Sequence, residues 1–321
     1  MPKILITGAG GFLGQFLARE LLKDPQNTLV LTDIVDVPVP KGSKNPQNAT
    51  TVKADLLKDQ SVITADLDAA YLFHGIMSAG SEANYDLGIG VNLESTRVIL
   101  DKIRHVRPGL RVIYSSSQAV YGQPLPKVVD ESVLPTPEGS YGSAKFMIEI
   151  LINDMTRRGF IDGIVLRFPT ISVRPGKPAP AASAFISGII REPVAGIEAV
   201  VPIKDRSFPS NVCSPSVLIG NLVHALTLPS DALPKHKRVV NSPGLTVTIQ
   251  EMLDALAKVA GEDKLKYVRE EHDEALARIL KSWAFNFDNS LGLSLGFKKP
   301  ESFEAAVQEY LDYVEEEKSW K

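Results

Sequence analysis

The sequence predicts an α/β protein: a Rossmann-type doubly wound parallel sheet joined to a smaller, interwoven C-terminal substrate-binding domain. Three observations carry this expectation. A glycine-rich turn sits between an apolar run and a helical pattern at the amino terminus. Strand-length apolar runs then alternate with helix-length patterns as far as Leu166, and after Arg167 the composition shifts to closely spaced prolines.

Ile4-Leu5-Ile6-Thr7 reads as the first strand, leading into Gly8-Ala9-Gly10-Gly11-Phe12-Leu13-Gly14 and a helix patterned by Leu17, Leu21 and Leu22. Glycines at 8, 11 and 14 allow a sharp turn, close approach of backbone to a pyrophosphate, and tight packing of helix on strand. Position 13 is Leu, so the spacing is Gly-x-x-Gly-x-x-Gly. Gly8, Gly11, Phe12, Leu13 and Gly14 are the candidate phosphate-binding positions. Leu29-Val30-Leu31-Thr32 is the second strand and ends at Asp33. A carboxylate there accepts hydrogen bonds from ribose hydroxyls and repels a 2′-phosphate, and no Arg or Lys follows until Lys41, so NAD is the expected cofactor.

Ala70 to Phe73 is a further strand, followed by a helix from about Asn92 to Arg104, a strand at Arg111 to Tyr114, a helix from Tyr141 to about Arg158, and a strand at Ile164 to Leu166. The Pro-rich stretch from Pro124 to Pro137 is a loop. Later helices are expected at Val217–Leu228, Thr248–Val259 and Ser302–Glu316. The dinucleotide-binding domain is placed at 1–168, with a returning segment near 205–230, and the substrate-binding part mostly at 169–321.

Tyr141 and Lys145 are four residues apart and share one helix face, so a phenol and an ammonium can address one ligand. Tyrosine, with an ordinary pKa near ~10, needs such a cation to act as a base at neutral pH. Alone, the pair would also suit a solvated helix; behind a glycine turn and a serine run it reads as chemistry.

Composition narrows the class. The chain has 321 residues, 44% hydrophobic and 23% charged, with a net charge of -3. That is enough to bury a large core, and it gives no basic footprint for nucleic acid. Cys213 is the single cysteine, so no intramolecular disulfide or cysteine metal cluster can form, and no metal site is expected. With the first strand beginning almost at Met1 and no apolar stretch approaching ~20 residues, no signal peptide or membrane span is expected, and the protein is placed in the cytoplasm.

Three segments together, Thr7 to Gly14, Ser115-Ser116-Ser117-Gln118-Ala119-Val120-Tyr121-Gly122, and Tyr141-Gly142-Ser143-Ala144-Lys145, resemble in order and spacing the extended short-chain dehydrogenase/reductase family. The resemblance implies that Tyr141 is the acid/base, that Lys145 holds the ribose and lowers the tyrosine pKa, and that Ser117 hydrogen-bonds the reacting oxygen. It also implies that Asp55, in Ala54-Asp55-Leu56, contacts the adenine amino group and that Pro169 lies beside the nicotinamide. Leu56, His74, Gly75, Asn92 and Ser115 complete the expected cofactor set, although His74 by itself reads as a structural histidine.

Within that family, Arg167 to Pro178 and Ser183 to Pro193 look like a smaller group that oxidises a four-carbon sugar acid, D-erythronate, at C2 to the 2-oxo acid. A small anionic substrate suits the fork of Arg174 and the charge of Lys177. Ser78, Ser117, Gln118, Tyr141, Thr170 and Arg174 are the expected substrate contacts. Three rivals stand beside this reading: a nucleotide-sugar epimerase or dehydratase, a uronate dehydrogenase, and a non-catalytic NAD-sensing regulator, which has no use for the Tyr, Lys and Ser set. The helix at 141–158 carries Phe146, Ile148, Ile150, Leu151, Ile152 and Met155, more apolar residues than one core-facing stripe requires, and the resemblance implies a homodimer made through it. Of the two tryptophans, Trp283 and Trp320, one is expected in the core and the other at a frayed terminus.

Overall fold

The computed structural model describes residues 2–176 and 182–319. Lys177 and Trp320 lie outside the described residues. The strands are β1 (Lys3–Thr7), β2 (Thr28–Asp33), β3 (Ala49–Lys53), β4 (Ala69–Leu72), β5 (Leu110–Ser117), β6 (Ile161–Phe168), β7 (Thr170–Ile171), β8 (Ala199–Val201), β9 (Pro209–Cys213), β10 (Val239–Asn241), β11 (Leu245–Thr248) and β12 (Val268–Glu270). The main helices are α1 (Phe12–Leu21), α2 (Ser78–Ala83), α3 (Tyr85–Ile89), α4 (Ser95–Val106), α5 (Ser140–Arg157), α6 (Ala184–Val194), α7 (Pro215–Thr227), α8 (Ile249–Ala260), α9 (Glu274–Lys281), α10 (Ser290–Ser294) and α11 (Phe303–Ser319).

Two units divide the chain: residues 1–120, 139–167 and 219–240 form the first, and 121–138, 168–218 and 241–321 the second. The sequence placed the return to the first unit near 205–230. It begins later because β9, within that range, pairs with β7 and β11 of the second unit.

A seven-stranded sheet runs in the order β10-β6-β5-β4-β1-β2-β3, and the β4–β5, β1–β4, β1–β2 and β2–β3 pairs are parallel. This is the doubly wound α/β fold expected from the sequence. The chain leaves β1 toward β2 on one side and reaches β4 on the other, so the carboxyl ends of β1 and β4 form the switch point where such sheets bind ligands. The turn at residues 8–14 follows β1, and the loop at 73–78 follows β4.

Leu5, Leu72, Val112 and Tyr114 of the sheet pack with Ile99, Leu100 and Ile103 of α4 and Ile148, Ile152 and Met155 of α5. Each fully buried aliphatic side chain contributes about 2 kcal/mol. The returning segment is held by guanidinium groups: Arg111 donates to Ala225 O and Leu228 O, and fully buried Arg238 donates to Gly163 O, Ser230 O and Leu233 O while pairing with Asp162. Gly8 has φ +65°, and a Cβ there would lie 2.6 Å from His74 N; a Cβ at Gly14 would lie 2.6 Å from Ala9 Cα. Both positions exclude a side chain, for turn geometry and for helix–strand packing respectively.

The second unit is built around α6, α8 and α11, with Ile189, Ile190, Met252, Leu256, Phe303 and Val307 buried together and Trp283 partly buried against them. Thr248 and Glu251 form a capping box at the start of α8. None of the described helices is long and apolar enough to cross a membrane.

Candidate active site

Four segments of the first unit converge at the carboxyl ends of the central strands: the turn after β1, the loop after β4, the end of β5 and the first turns of α5. Asp33, at the end of β2, accepts from Gly10 N (3.0 Å) through one carboxylate oxygen and from Ile34 N (2.7 Å) through the other. This fixes a carboxylate beside the glycine turn. No side chain caps the amino terminus of α1 at Gly11, which leaves first-turn amides to face an anion. Asp55 accepts from Leu57 N and pairs with Lys58, and Leu56 is buried. The glycine turn, its excluded Cβ positions and the adjacent Asp33 carboxylate therefore fit a dinucleotide.

The loop after β4 is clamped from two directions. Asn92 lies in a π-helical turn, Gly90–Glu94, just before α4; it accepts from Ile76 N (2.8 Å) and donates to Ile76 O and Ser81 Oγ (both 3.0 Å). His74 places Nδ1 at 2.8 Å from Thr7 Oγ1 and Nε2 at 3.1 Å from Thr96 Oγ1. Thr96 gives its own hydrogen to Asn92 O, so it accepts from Nε2–H; the Thr7 hydroxyl faces both Tyr71 O (3.3 Å) and Nδ1 (2.8 Å), and with Nε2 as the donor of a neutral ring its hydrogen goes to the nearer Nδ1. This assigns the neutral imidazole. Burial, and then the Lys145 charge, pull the His74 pKa down to about 3, so the ring is uncharged across the physiological range. The side chain of His74 thus ties β1 to α4. Its main chain and Gly75 border the site: a Cβ at Gly75 would sit 2.9 Å from Asn92 Oδ1 and 4.0 Å from Lys145 Nζ. Ser78 opens α2.

The serine run continues β5 beyond its apolar residues, and its three hydroxyls are not equivalent. Ser115 donates to Leu72 O (3.0 Å), and Ser116 donates to Glu149. Ser117 accepts from Ala119 N (3.1 Å), which leaves its hydrogen available to a ligand. Gln118 is buried immediately after it.

Tyr141 and Lys145 occupy the first two turns of α5. Glu82 of α2 accepts from Ser140 N at the start of that helix. Lys145 is 3% exposed and donates to Ser115 O at 2.6 Å. Its Nζ stands 4.6 Å from the ring centre of Tyr114 and 5.5 Å from that of Tyr141. Burial pulls the Lys145 pKa down to about 7, against the opposing pull of Glu149.

Beneath this amine lies a charge cluster that motif reading did not single out. Glu149, fully buried one turn after Lys145, accepts from Arg167 Nε (2.9 and 3.2 Å) and Nη2 (2.5 Å) as well as from Ser116. The available signal was the i, i+4 spacing from Lys145 to Glu149, which puts both on one face of α5.

The remaining substrate candidates belong to the second unit. Thr170 pairs with Val212 in a parallel β7–β9 ladder, and Pro169 precedes it. Arg174 N donates to Ser187 Oγ (3.1 Å) and Arg174 O accepts from Arg191 (3.0 Å), so the backbone of this loop is fixed onto α6. Cys213 is buried, and burial pushes its thiol up to about 12, which leaves it unreactive. No group of metal-ligating side chains occurs among the described residues.

The profile of the NAD dependent epimerase/dehydratase family matches residues 4–205. The chain is 40% identical over 316 residues to a D-erythronate dehydrogenase of Haemophilus influenzae, covering 97% of this chain and 99% of the relative. It is also 40% identical over 321 residues to a D-erythronate dehydrogenase of Cupriavidus necator, covering 96% and 98% respectively. Among solved structures, a nucleoside-diphosphate-sugar epimerase from Agrobacterium tumefaciens superposes with a TM-score of 0.90 at 35% identity, over 97% of this chain and 94% of that one.

Proposed function

The chain belongs to the NAD dependent epimerase/dehydratase family, and on that premise we propose that it oxidises the C2 hydroxyl of a small sugar acid, D-erythronate, to the 2-oxo acid with NAD as cofactor. The observation that carries this reading is the buried Lys145 amine, hydrogen-bonded to Ser115 O and set beside the Tyr141 ring. Likeness over nearly the full chain to two proteins named D-erythronate dehydrogenase supports the substrate.

Tyr141 is the general base, taking the C2 hydroxyl proton as the carbonyl forms. Its place in the first turn of α5 and the Lys145 ammonium both favour the phenolate. Ser117 donates its hydrogen to the substrate oxygen and steadies the developing negative charge. Gly8, Gly11, Phe12, Leu13 and Gly14 hold the cofactor phosphates and Asp33 the adenosine ribose, with Asp55, Leu56, Gly75, Asn92, Ser115 and Pro169 along the remainder. NAD, when bound, supplies the hydride acceptor. Ser78, Gln118 and Thr170 contact the sugar acid, and the Arg174 guanidinium binds its carboxylate. The protein acts in the cytoplasm as a homodimer made through α5 and its neighbours, where Met147 and Ile150 together with Tyr85 and Leu87 of α3 leave apolar area exposed.

The test is NADH formation with D-erythronate, L-threonate, D-glucuronate and D-galacturonate, repeated with NADP. Turnover of a four-carbon acid, with NAD preferred, is the expected result. The likeness to the Agrobacterium structure favours a second reading, nucleotide-sugar epimerisation; interconversion of a UDP-sugar with no NADH from any acid would replace the first reading with this one. NADH only from the uronates would move oxidation to the anomeric carbon.

A further inference from the structure

We propose that Tyr114 and Glu149 are positioning residues for Lys145: the Tyr114 ring face and the Glu149 carboxylate, the latter fixed by Arg167 and Ser116, favour the ammonium form of the buried amine and oppose its loss of a proton to burial. The proposal rests on the reading of Lys145 as half of the catalytic pair. An ammonium almost removed from water needs charge compensation nearby, or it deprotonates. Lys145 has one hydrogen-bond acceptor in Ser115 O, a carbonyl without net charge. The other compensation comes from the negative face of the Tyr114 ring at 4.6 Å, from the more distant Tyr141 ring at 5.5 Å, and from Glu149 one helical turn away.

The chemistry at Tyr114 singles out its ring. Tyr114 is 1% exposed, and its hydroxyl is buried without a hydrogen-bond partner among the described residues. A phenol in that condition is costlier than a phenyl group of the same shape, so the hydroxyl does not explain the residue. Glu149 is held in one orientation by three donated contacts from Arg167 and one from Ser116. The charged or titratable groups around Lys145 are Tyr141 and Glu149 from α5, Tyr114 from β5, and neutral His74 from the loop after β4, with Arg167 of β6 behind Glu149. Of these, Glu149 carries the negative charge that opposes the effect of burial.

The experiment titrates Lys145 directly in the cofactor-free, full-length protein. Lysine labelled with carbon-13 at Cε is followed by NMR, and the Lys145 resonance is identified by its disappearance in Lys145→Met. Tyr114→Leu removes the ring face and Glu149→Gln removes the anion. In each, the midpoint should fall by about one pH unit or more, and the alkaline limb of kcat/KM for the sugar acid should move down with it. Tyr114→Phe keeps the ring face, and its midpoint should stay with wild type. An unmoved midpoint in Tyr114→Leu and Glu149→Gln overturns the proposal, even if both lose activity, because a merely structural role lowers rate without moving this titration. Should Glu149→Gln fail to fold around an unpaired Arg167, the Glu149→Met/Arg167→Met protein replaces the buried pair with apolar side chains and gives the same readout. Full turnover by Lys145→Met would instead remove the catalytic reading, and that outcome is independent of any midpoint.

Discussion

Replacing Lys145 by Met should stabilise the cofactor-free fold while removing the amine the proposed reaction needs. The magnitude follows from the burial of Lys145, which takes its pKa from 10.5 to about 7. At about 1.4 kcal/mol per pH unit, that fall corresponds to ~5 kcal/mol of destabilisation wherever the lysine is charged in both folded and unfolded chains. Deleting the amine also strands Ser115 O without its donor, which costs ~1–3 kcal/mol. A net gain of ~2–4 kcal/mol is expected for Lys145→Met below pH 7. Between about 7 and 10.5 only the unfolded wild-type chain holds this proton, so wild type gains stability from this group as pH rises, and the gap to the variant closes. Other titrating groups are common to both proteins and cancel in the comparison. Urea unfolding of both proteins across this window measures the gap. A gap that does not change with pH, or a variant less stable than wild type at neutral pH, would refute the argument that a buried ammonium strains this fold.

Tyr141→Phe should lower kcat/KM for the sugar acid by roughly 10²- to 10⁴-fold, the range for a general acid/base group, and full activity would end the assignment. Asp33→Ala should narrow the preference for NAD over NADP by about tenfold or more as the repelling carboxylate goes, and kinetics with both cofactors will show whether the ratio moves. Gly8→Ala sets a side chain at φ +65° and 2.6 Å from His74 N; together these should lower the melting temperature by ~5 °C or more, and a melting curve superimposable on wild type would contradict the close packing of β1 on the loop after β4.

The fold was legible where one physical signal dominated. Continuous apolar runs mark β1 and β4, which are buried on both faces of the sheet, and the shorter run of β2 marks its buried positions; helical periodicity marks α5, α7, α8 and α11. β3 escaped notice because Ala49–Lys53 is a half-exposed strand at the sheet edge with no buried residue. The apolar run of β5 ends at Tyr114, but the strand continues through Ser117. Ser115 and Ser116 are accommodated in the strand because their hydroxyls find Leu72 O and Glu149, partners distant in sequence that satisfy polar groups a local pattern would assign to a loop. α6 was hidden by the proline-rich stretch before it and by Pro193 within its last turn. At the candidate site, spacing marked the residues with chemistry of their own, Tyr141, Lys145 and the glycine turn. The supporting Tyr114, Glu149, Arg167, Thr7 and Thr96 looked like ordinary core or polar residues, since each acquires its role only from a neighbour on another strand or helix.

Strand alternation explains why three consecutive serines are not interchangeable. Val112, Tyr114 and Ser116 lie on one face of β5, at alternate positions. Val112 packs with Ile148 and Ile152 of α5, Tyr114 lies under Lys145, and Ser116 meets Glu149. That face is committed to the helix. Ser115 and Ser117 fall on the other parity; Ser115 spends its hydrogen on Leu72 O, which leaves Ser117, at the open end of the strand, as the one serine of the run with a hydrogen to give. A one-residue slip of β5 would turn Tyr114 and Ser116 away from α5 and set Ser115 and Ser117 against it. The same register therefore selects both the residues that support the Lys145 ammonium and the hydroxyl offered to a substrate, so the chemistry proposed here is tied to the packing of α5 on β5.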